Sequence, residues 1–379
     1  MFRVASRIGP RHDQTLRSLV LVEGFCLRLF VSEFICGGGW REGERPASLI
    51  REGAAMLRAL IEDLLQIPEM QVVTTWDRRL PDGLGSRKSP SLDIVPVAGP
   101  DEEHEVFRRL CESADASYII APELSDELSL RTAVAASFEQ RRSPQISYPH
   151  PRNLNCSVEA IDLCGDKWSL FEHLTRHAIP TIPTFQLQDR SSHDSLSWPR
   201  VLKLRLGAGS QSMQLVSSPA EWESAIKSFD NSSRHTEAIV QPYIPGQAFS
   251  VGVIIDRNRT LHRLPVADQL IDPRNGFAYL GGRVPSHCWT GSIDPLLDKV
   301  LPTIPGVYGF VGIDFLIPDG TPGTPLLVEI NPRLTTSYTG YRQLCRDNLA
   351  ALWLGESDPV EQLHWRDGQI EFQAAGECS

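Results

Sequence analysis

Lysine is scarce in this chain. Of 37 basic residues among 379, only Lys88, Lys167, Lys203, Lys227 and Lys299 are lysines. The net charge is −10, whereas proteins whose main partner is nucleic acid carry a basic footprint, so that class is set aside. A lysine inside a motif also stands out against so thin a background. Paired cysteines are missing too. The eight cysteines (Cys26, Cys36, Cys111, Cys156, Cys164, Cys288, Cys345 and Cys378) are scattered without a CxxC or zinc spacing. They read as reduced thiols of a cytoplasmic protein. No long apolar run occurs: the stretch 19–36 is broken by Glu23, Arg28 and Glu33, which argues against a membrane span. Neither HExxH nor a Ser-His-Asp set is evident, so a hydrolase has no support. His173 and His177 are four apart, but with no third ligand nearby the pair reads as an exposed helix face rather than a metal site.

What is present is a soluble, globular composition, 41% hydrophobic and 22% charged, in a chain too long for one core; two or three lobes are expected. Residues 1–26 have little pattern and read as a disordered or overlong start. From there strand and helix alternate. A strand at 27–35 runs into Gly37-Gly38-Gly39-Trp40. A helix at 46–66, a strand at 72–75, a helix at 101–112, a strand at 118–121 and a helix at 125–140 follow. This order predicts an α/β N-terminal domain, a parallel sheet with helices on both faces, over 27–155. The glycine run is not GxGxxG, so it reads as a tight turn lining a substrate cleft rather than a dinucleotide cradle.

After a Pro/Asn/Ser-rich connection at 144–155 the character changes. Asp166 is placed to cap a helix at 167–177. A strand at 201–204 ends at Lys203-Leu204 and leads into the Gly/Ser loop 205–212, and a strand at 238–244 ends at Pro245-Gly246. Antiparallel strands at 249–256, 260–266, 309–317 and 325–330 follow, and the polar segment 356–379 reads as a flexible tail.

The strongest chemical signal lies in two of these strands. Asp314 sits between apolar residues in Gly312-Ile-Asp-Phe315, and Glu329 and Asn331 are two apart in Leu326-Leu-Val-Glu-Ile-Asn-Pro-Arg333. Residues two apart on a strand share a face, and hairpin pairing can bring Asp314 onto it. Two carboxylates and an amide oxygen suit magnesium, whose remaining positions go to water and phosphate. The other reading is that these carboxylates are paired within the sheet. Lys167 at a helix start and Lys203 before a Gly/Ser loop can each aim a point charge at phosphates.

Taken in order, Lys167, Lys203 with its loop, Val240-Gln-Pro-Tyr-Ile-Pro-Gly246, Asp314 and Glu329-Ile-Asn-Pro-Arg333 resemble the ATP-grasp superfamily, over roughly residues 162–347. The resemblance implies an ATP-grasp fold of two α+β lobes over 156–355, with a small lobe near 180–246 and a C-terminal lobe near 247–355. It implies ATP bound between the lobes by Lys167, Lys203, Ser210, Gln241, Pro242, Tyr243 and Ile244. Magnesium, or manganese, would be held by Asp314, Glu329 and Asn331, and Arg333 would neutralise the transferring phosphoryl group. Gln247 stands where many members carry a ribose-binding Glu and is the candidate to hydrogen-bond the ribose in its place, and the irregular loop after Lys203 leaves phosphate cover to Ser210 and Ser212.

Within the superfamily, Val31-Ser-Glu-Phe-Ile-Cys-Gly-Gly-Gly-Trp40, Tyr279-Leu-Gly-Gly-Arg-Val-Pro285 and Asn331-Pro-Arg-Leu-Thr-Thr-Ser-Tyr338 look similar to the group containing tyramine–glutamate ligase, of methanofuran and methanopterin-linked pathways. The implied activity is activation of a carboxylate, glutamate in the looser resemblance, as an acyl phosphate and its coupling to an amine. Arg283 is a candidate carboxylate clamp, and Ser337, Tyr338 and Arg342 candidates for the amine side. The alternatives are a phosphotransferase on the same nucleotide site and a non-catalytic ATP-binding partner. No nucleic acid or membrane partner is expected, and the oligomeric state is open.

Overall fold

The computed structural model describes residues 26–41, 43, 45–81, 84, 89–122, 126–139, 153–207, 213–230, 238–289, 291–321, 323–356, 362–374 and 378. Ser210, Ser212 and all of 1–25 lie outside them.

The N-terminal domain is the α/β unit that the alternating pattern predicts. Its strands are β1 (Leu27–Glu33), β2 (Met70–Asp77), β3 (Leu92–Val97) and β4 (Ala116–Ile120), and its helices α1 (Ala47–Leu64), α2 (Pro100–Ser113) and α3 (Glu127–Ser137). The sheet is parallel, in the order β3-β2-β1-β4. Side chains alternate along each strand, so β1 serves two cores. Leu29 and Val31 join Met56, Leu57 and Leu60 of α1, while Phe30 joins Val106, Phe107 and Leu110 of α2. The strand β3 was not foreseen, because its pattern is broken by Asp93 and Pro96 and it lies half-exposed at the edge.

The segment after this domain holds α4 (Val158–Gly165) and α5 (Lys167–Arg176). A small lobe follows, formed by β5 (Phe185–Gln186), α6 (Arg190–His193), β6 (Arg200–Leu204), β7 (Gln214–Val216), α7 (Pro219–Asp230) and β8 (Ala238–Pro242). Its antiparallel sheet runs β5-β8-β6-β7. The large lobe contains β9 (Gly246–Ile255), β10 (Leu261–Arg263), β11 (Ala267–Asp272), β12 (Ala278–Val284), α8 (Asp294–Val300), β13 (Gly309–Pro318), β14 (Leu326–Asn331), α9 (Ser337–Leu344), α10 (Leu349–Leu354) and β15 (Ile370–Gln373). Its antiparallel sheet runs β14-β13-β9-β11-β12-β15, with β10 paired to β9. One face of that sheet is dry: Phe249 and Phe315 stack at 5.5 Å, and Trp289 meets Phe315 edge-on at 5.3 Å.

Two expectations are corrected. The segment 356–379 is not all tail, because β15 pairs with β12 and buries Phe372 to 1% exposure against Gly282 and Gly340. Three polar or charged neighbours hide one well-packed phenylalanine from a composition-based reading. The single strand expected at 260–266 is instead the short β10, after which the chain continues along β9 in the same antiparallel sense as β11.

The two domains are joined by a buried polar contact. Asp63 of α1 accepts from Tyr338 Oη (2.6 Å) and from Arg342 Nε (2.9 Å) and Nη2 (2.7 Å), while Glu62 pairs with Arg342 at 3.0 Å. Tyr338 and Arg342 therefore fasten α9 to the N-terminal domain rather than lining a substrate channel, and Ser337 is buried with them. Among the described residues no helix is long and apolar enough to cross a membrane.

Candidate active site

The site forms where the polar face of the large sheet meets the start of α5 and the end of β6. Asp314 lies directly across β13–β14 from Glu329, and Gly312 from Asn331, with a register shift just after Asp314. Such a bulge re-aims side chains locally. Asn331 Nδ2 donates to Asp314 Oδ2 at 3.2 Å, and Gln269 Nε2 of β11 donates to Asp314 Oδ1 at 2.9 Å. The expected face-sharing of Asp314, Glu329 and Asn331 is therefore seen, and Gln269 is an addition. Its signal in the sequence was slight: a lone polar residue in a strand with no motif around it.

Local structure aims the two lysines. Asp166 caps α5, accepting from the amides of Trp168 (3.0 Å) and Ser169 (3.2 Å). The same carboxylate accepts from Arg205 Nε at 2.7 Å, tying the loop after β6 to the helix start. Lys167, the first residue of α5, is thereby held with its Nζ 2.7 Å from the Gly207 carbonyl and 3.3 Å from Glu329 Oε1. Lys203, on β6, is 6% exposed. Burial, then the adjacent Lys167 cation, push its ammonium down to about 8, against the opposing pull of Glu329.

The two carboxylates respond in opposite directions. For Asp314, burial and then the Glu329 charge raise the pKa to about 7. Burial alone would also raise Glu329, but Lys167, Lys203 and Arg333 outweigh it and hold the group below its ordinary range. Like charges side by side with lysines close by form a set that a divalent cation and a polyphosphate would satisfy. Among the described residues no three His, Cys, Asp or Glu side chains cluster as a metal site. The two carboxylates and the amide still fit magnesium, which takes few protein ligands and keeps water or phosphate in the rest.

Arg333 follows β14, where its Nη1 donates to the Leu334 carbonyl at 3.1 Å, and it interacts with both Asp314 and Glu329. The next amide, Leu334 N–H, donates to Tyr118 Oη at 2.8 Å. Tyr118 belongs to β4, 2% exposed and packed edge-on to Trp353 at 4.4 Å, so the N-terminal domain fixes the turn that carries Arg333. No motif in the sequence pointed to Tyr118.

The segment 241–244 borders the small lobe. The Gln241 side chain is turned inward, donating to Thr184 Oγ1 at 2.8 Å, and the Tyr243 amide donates to the Pro199 carbonyl at 3.0 Å. Pro242 and Ile244 are half-buried, and Gln247 is exposed on β9 opposite Ile317.

Arg283 is not brought to this site. It stands opposite Asp268 on β11–β12, one residue along from Gln269. Neighbours along a strand face opposite ways, so Arg283 lies on the other side of the sheet from Asp314. There it pairs with Glu371 of β15 at 2.8 Å. Sequence order put Arg283 near the site, and strand parity removed it. The glycine run after β1 is likewise a packed turn: a Cβ at Gly37 would lie 2.3 Å from the Glu33 carbonyl, and Gly38 has φ +102°. The rings of His173 and His177 lie 4.6 Å apart at a tilt of 43°, with His173 Nε2 2.9 Å from Thr303 Oγ1.

Comparison with known proteins agrees with this anatomy. The profile of the ATP-grasp domain (ATP-grasp_3) matches residues 164–337, and that of the pre ATP-grasp 3 domain matches residues 70–161. The chain is therefore a member of the ATP-grasp superfamily, with a pre-ATP-grasp domain ahead of the ATP-grasp domain. No curated protein sequence matches it. Among solved structures it is similar to an ATP-grasp superfamily protein from Archaeoglobus fulgidus, with 20% identity, TM-score 0.63 and 92% of each chain covered. It is also similar to the biotin carboxylase–β,γ-ATP complex of Campylobacter jejuni (17%, TM-score 0.67, 91% of this chain and 74% of that one). A third is the ADP complex of N5-carboxyaminoimidazole synthetase from Staphylococcus aureus (13%, TM-score 0.62, 90% and 80%). These likenesses establish the fold, which is one that ATP-dependent ligases use.

Proposed function

We propose that the protein is an ATP- and magnesium-dependent carboxylate–amine ligase. The observation that carries this reading is the juxtaposition of Asp314 and Glu329 with Lys167, 3.3 Å from Glu329, and the buried Lys203. Lys167 and Lys203 hold the ATP phosphates. Asp314, Glu329 and Asn331 would hold magnesium, or manganese in its place, and the ion would supply charge neutralisation during phosphoryl transfer. Adenine lies against 241–244. The Tyr243 amide is already taken by Pro199, and Ile244 N–H donates to no backbone carbonyl among the described residues, so Ile244 is the donor toward the base. Gln247, exposed at the edge of β9, is the group nearest in sequence for the ribose hydroxyls.

The substrate carboxylate attacks the γ-phosphorus, and the bond to the β–γ bridging oxygen breaks with its electron pair leaving on ADP. Arg333 neutralises the charge on the transferring group. The amine, once its ammonium has lost one proton to solvent, attacks the acyl carbon; phosphate leaves, and the nitrogen gives up one further proton while keeping the amide N–H. The chain's contribution is positioning and charge neutralisation rather than covalent catalysis. The looser resemblance to tyramine–glutamate ligase makes glutamate the first acid to try, in methanofuran or methanopterin-linked cofactor biosynthesis.

Purified protein incubated with Mg-ATP and pools of acids and amines tests this reading, with ADP release and new amide mass measured together. ADP plus a condensed product supports the ligase. ADP with a stable phosphorylated compound replaces it by a phosphotransferase, and tight ATP binding without ADP by a non-catalytic nucleotide-binding protein.

A further inference from the structure

Asp314 takes one of its hydrogen bonds from beyond the adjoining strand. In the large sheet β9 lies between β13 and β11, and strands about 4.8 Å apart put β13 and β11 roughly 10 Å from each other. Ser250 of β9 stands opposite Asp314 on one side and Ala267 on the other, while Ala248 stands opposite Leu316. Residues two apart on a strand share a face. Gln269 therefore lies on the face of Asp314, with the small side chains of Ala248 and Ser250 between them. A glutamine can cross so low a gap, and Gln269 Nε2 reaches Asp314 Oδ1 at 2.9 Å. From the other side, Asn331 of the adjoining β14 closes on Oδ2 at 3.2 Å.

Each oxygen of the Asp314 carboxylate thus accepts one amide N–H, from opposite sides of β13. The arrangement answers a specific difficulty. Asp314 stands directly across from Glu329, and two carboxylates side by side repel each other. Glu329 is held by Lys167 at 3.3 Å, and Asp314 by the two amides. A neutral donor orients a carboxylate without cancelling its charge, so the group stays suited to a cation. Magnesium demands nearly ideal octahedral geometry, and the partners that orient its ligands help set its affinity. Among the described residues, Gln269 makes its side-chain hydrogen bond to Asp314. Its neighbour Asp268 turns to the other face, where it accepts from Ser286.

We infer that Gln269 is a positioning residue of the magnesium site: by reaching across β9 it orients the Asp314 carboxylate for the ion and so couples metal binding to nucleotide binding. The inference rests on the metal assignment within the ligase reading, and its test separates the two. The affinity of the full-length protein for the non-hydrolysable analogue AMP-PNP is measured by calorimetry twice, in EDTA and in excess magnesium. The ratio of the two affinities is the coupling between metal and nucleotide. The melting temperature of the ligand-free protein is the check on folding.

In the wild-type protein magnesium should tighten AMP-PNP binding about tenfold or more. In Gln269→Met, close in volume but without the donor, that ratio should fall about tenfold, the scale of removing a partner that orients a metal ligand. The affinity in EDTA and the melting temperature should stay unchanged. Gln269→Asn keeps the amide but is one methylene short of the crossing, and it should show the same loss. An unchanged ratio in Gln269→Met overturns the inference and leaves the metal assignment standing. A matching loss of affinity in EDTA overturns it as well, because Gln269 would then support the sheet rather than the metal site. Absence of coupling in the wild-type protein overturns the metal assignment itself, and this inference with it.

Discussion

The N-terminal domain and the ATP-grasp domain both hold buried charge, and they treat it differently. In the N-terminal domain Glu103 and Asp77 are saturated by arginines of the protein. Arg131 makes two 2.7 Å bonds to Glu103 and lies between the rings of Phe34 and Phe107, at 4.8 and 4.7 Å. Asp77 accepts from Arg45 (2.6 Å) and Arg79 (2.7 Å), and although burial pulls it upward these bonds hold it below its ordinary range. In the ATP-grasp domain the hydrogen bonds to Asp314 among the described residues come from the amides of Gln269 and Asn331, and the group sits beside Glu329 and is pushed up to about 7. A buried charge given its full complement of opposite charge is structural. One set beside a like charge, as Asp314 is beside the lysine-paired Glu329, is the arrangement that the proposed Mg-ATP would satisfy.

Substitutions should break this contrast along its own line. The largest effect is expected at the hairpin: Glu329→Gln and Asn331→Ala should each lower ATP turnover at least about a thousandfold, the scale of losing a group that stabilises transition-state charge. Circular dichroism should show an intact fold, and near-normal ADP release in either variant would sink the metal assignment. In the saturated region Glu103→Gln should instead cost about 3 kcal/mol of stability by leaving the buried Arg131 without its main partner. Denaturant midpoints read that loss, and ATP affinity at a permissive temperature should be untouched. A smaller change is expected at Lys203→Ala, about tenfold or more weaker nucleotide binding by calorimetry; unchanged affinity would remove Lys203 from the phosphate site.

The smallest effect sharpens the comparison by pH. Glu33 and Asp314 are each raised to about 7, Glu33 first by burial and despite amide donors from the turn it caps. A carboxyl raised on folding holds a proton that the unfolded chain releases. Its stabilisation is therefore full below the unfolded pKa of about 4 and is lost as pH rises through about 7. Denaturant midpoints of the ligand-free protein should fall over this window. Saturating Mg-ATP should flatten the part due to Asp314, and Glu33→Gln the part due to Glu33. A slope that Mg-ATP leaves unchanged would place Asp314 with the structural charges.

Much of this was legible in the sequence, for local reasons. The alternation that predicts a parallel sheet, the Asp166 cap and the pairing of Asp314 with Glu329 depend on residues close in the chain or on strand periodicity. The site's supports were not legible. Tyr118 and Gln269 sit in unremarkable local patterns, and each acts on a residue far along the chain. Arg283 looked functional by its place after Gly281-Gly282, but strand parity set it on the opposite face. The N-terminal glycine run reads alike whether it cradles a ligand or packs a turn, and only the contacts of Gly37 and Gly38 distinguish the two.

By itself, then, the sequence determined which chemical groups exist, their order along the chain and the periodicity that sorts strand faces. Those are properties of neighbours, set by backbone geometry and propensity. The tertiary structure alone decided which charges are satisfied and which are left open. That outcome depends on the company each group keeps once water is excluded: Glu103 meets Arg131, Asp314 meets Glu329, and Asp63 meets Arg342 across a domain seam.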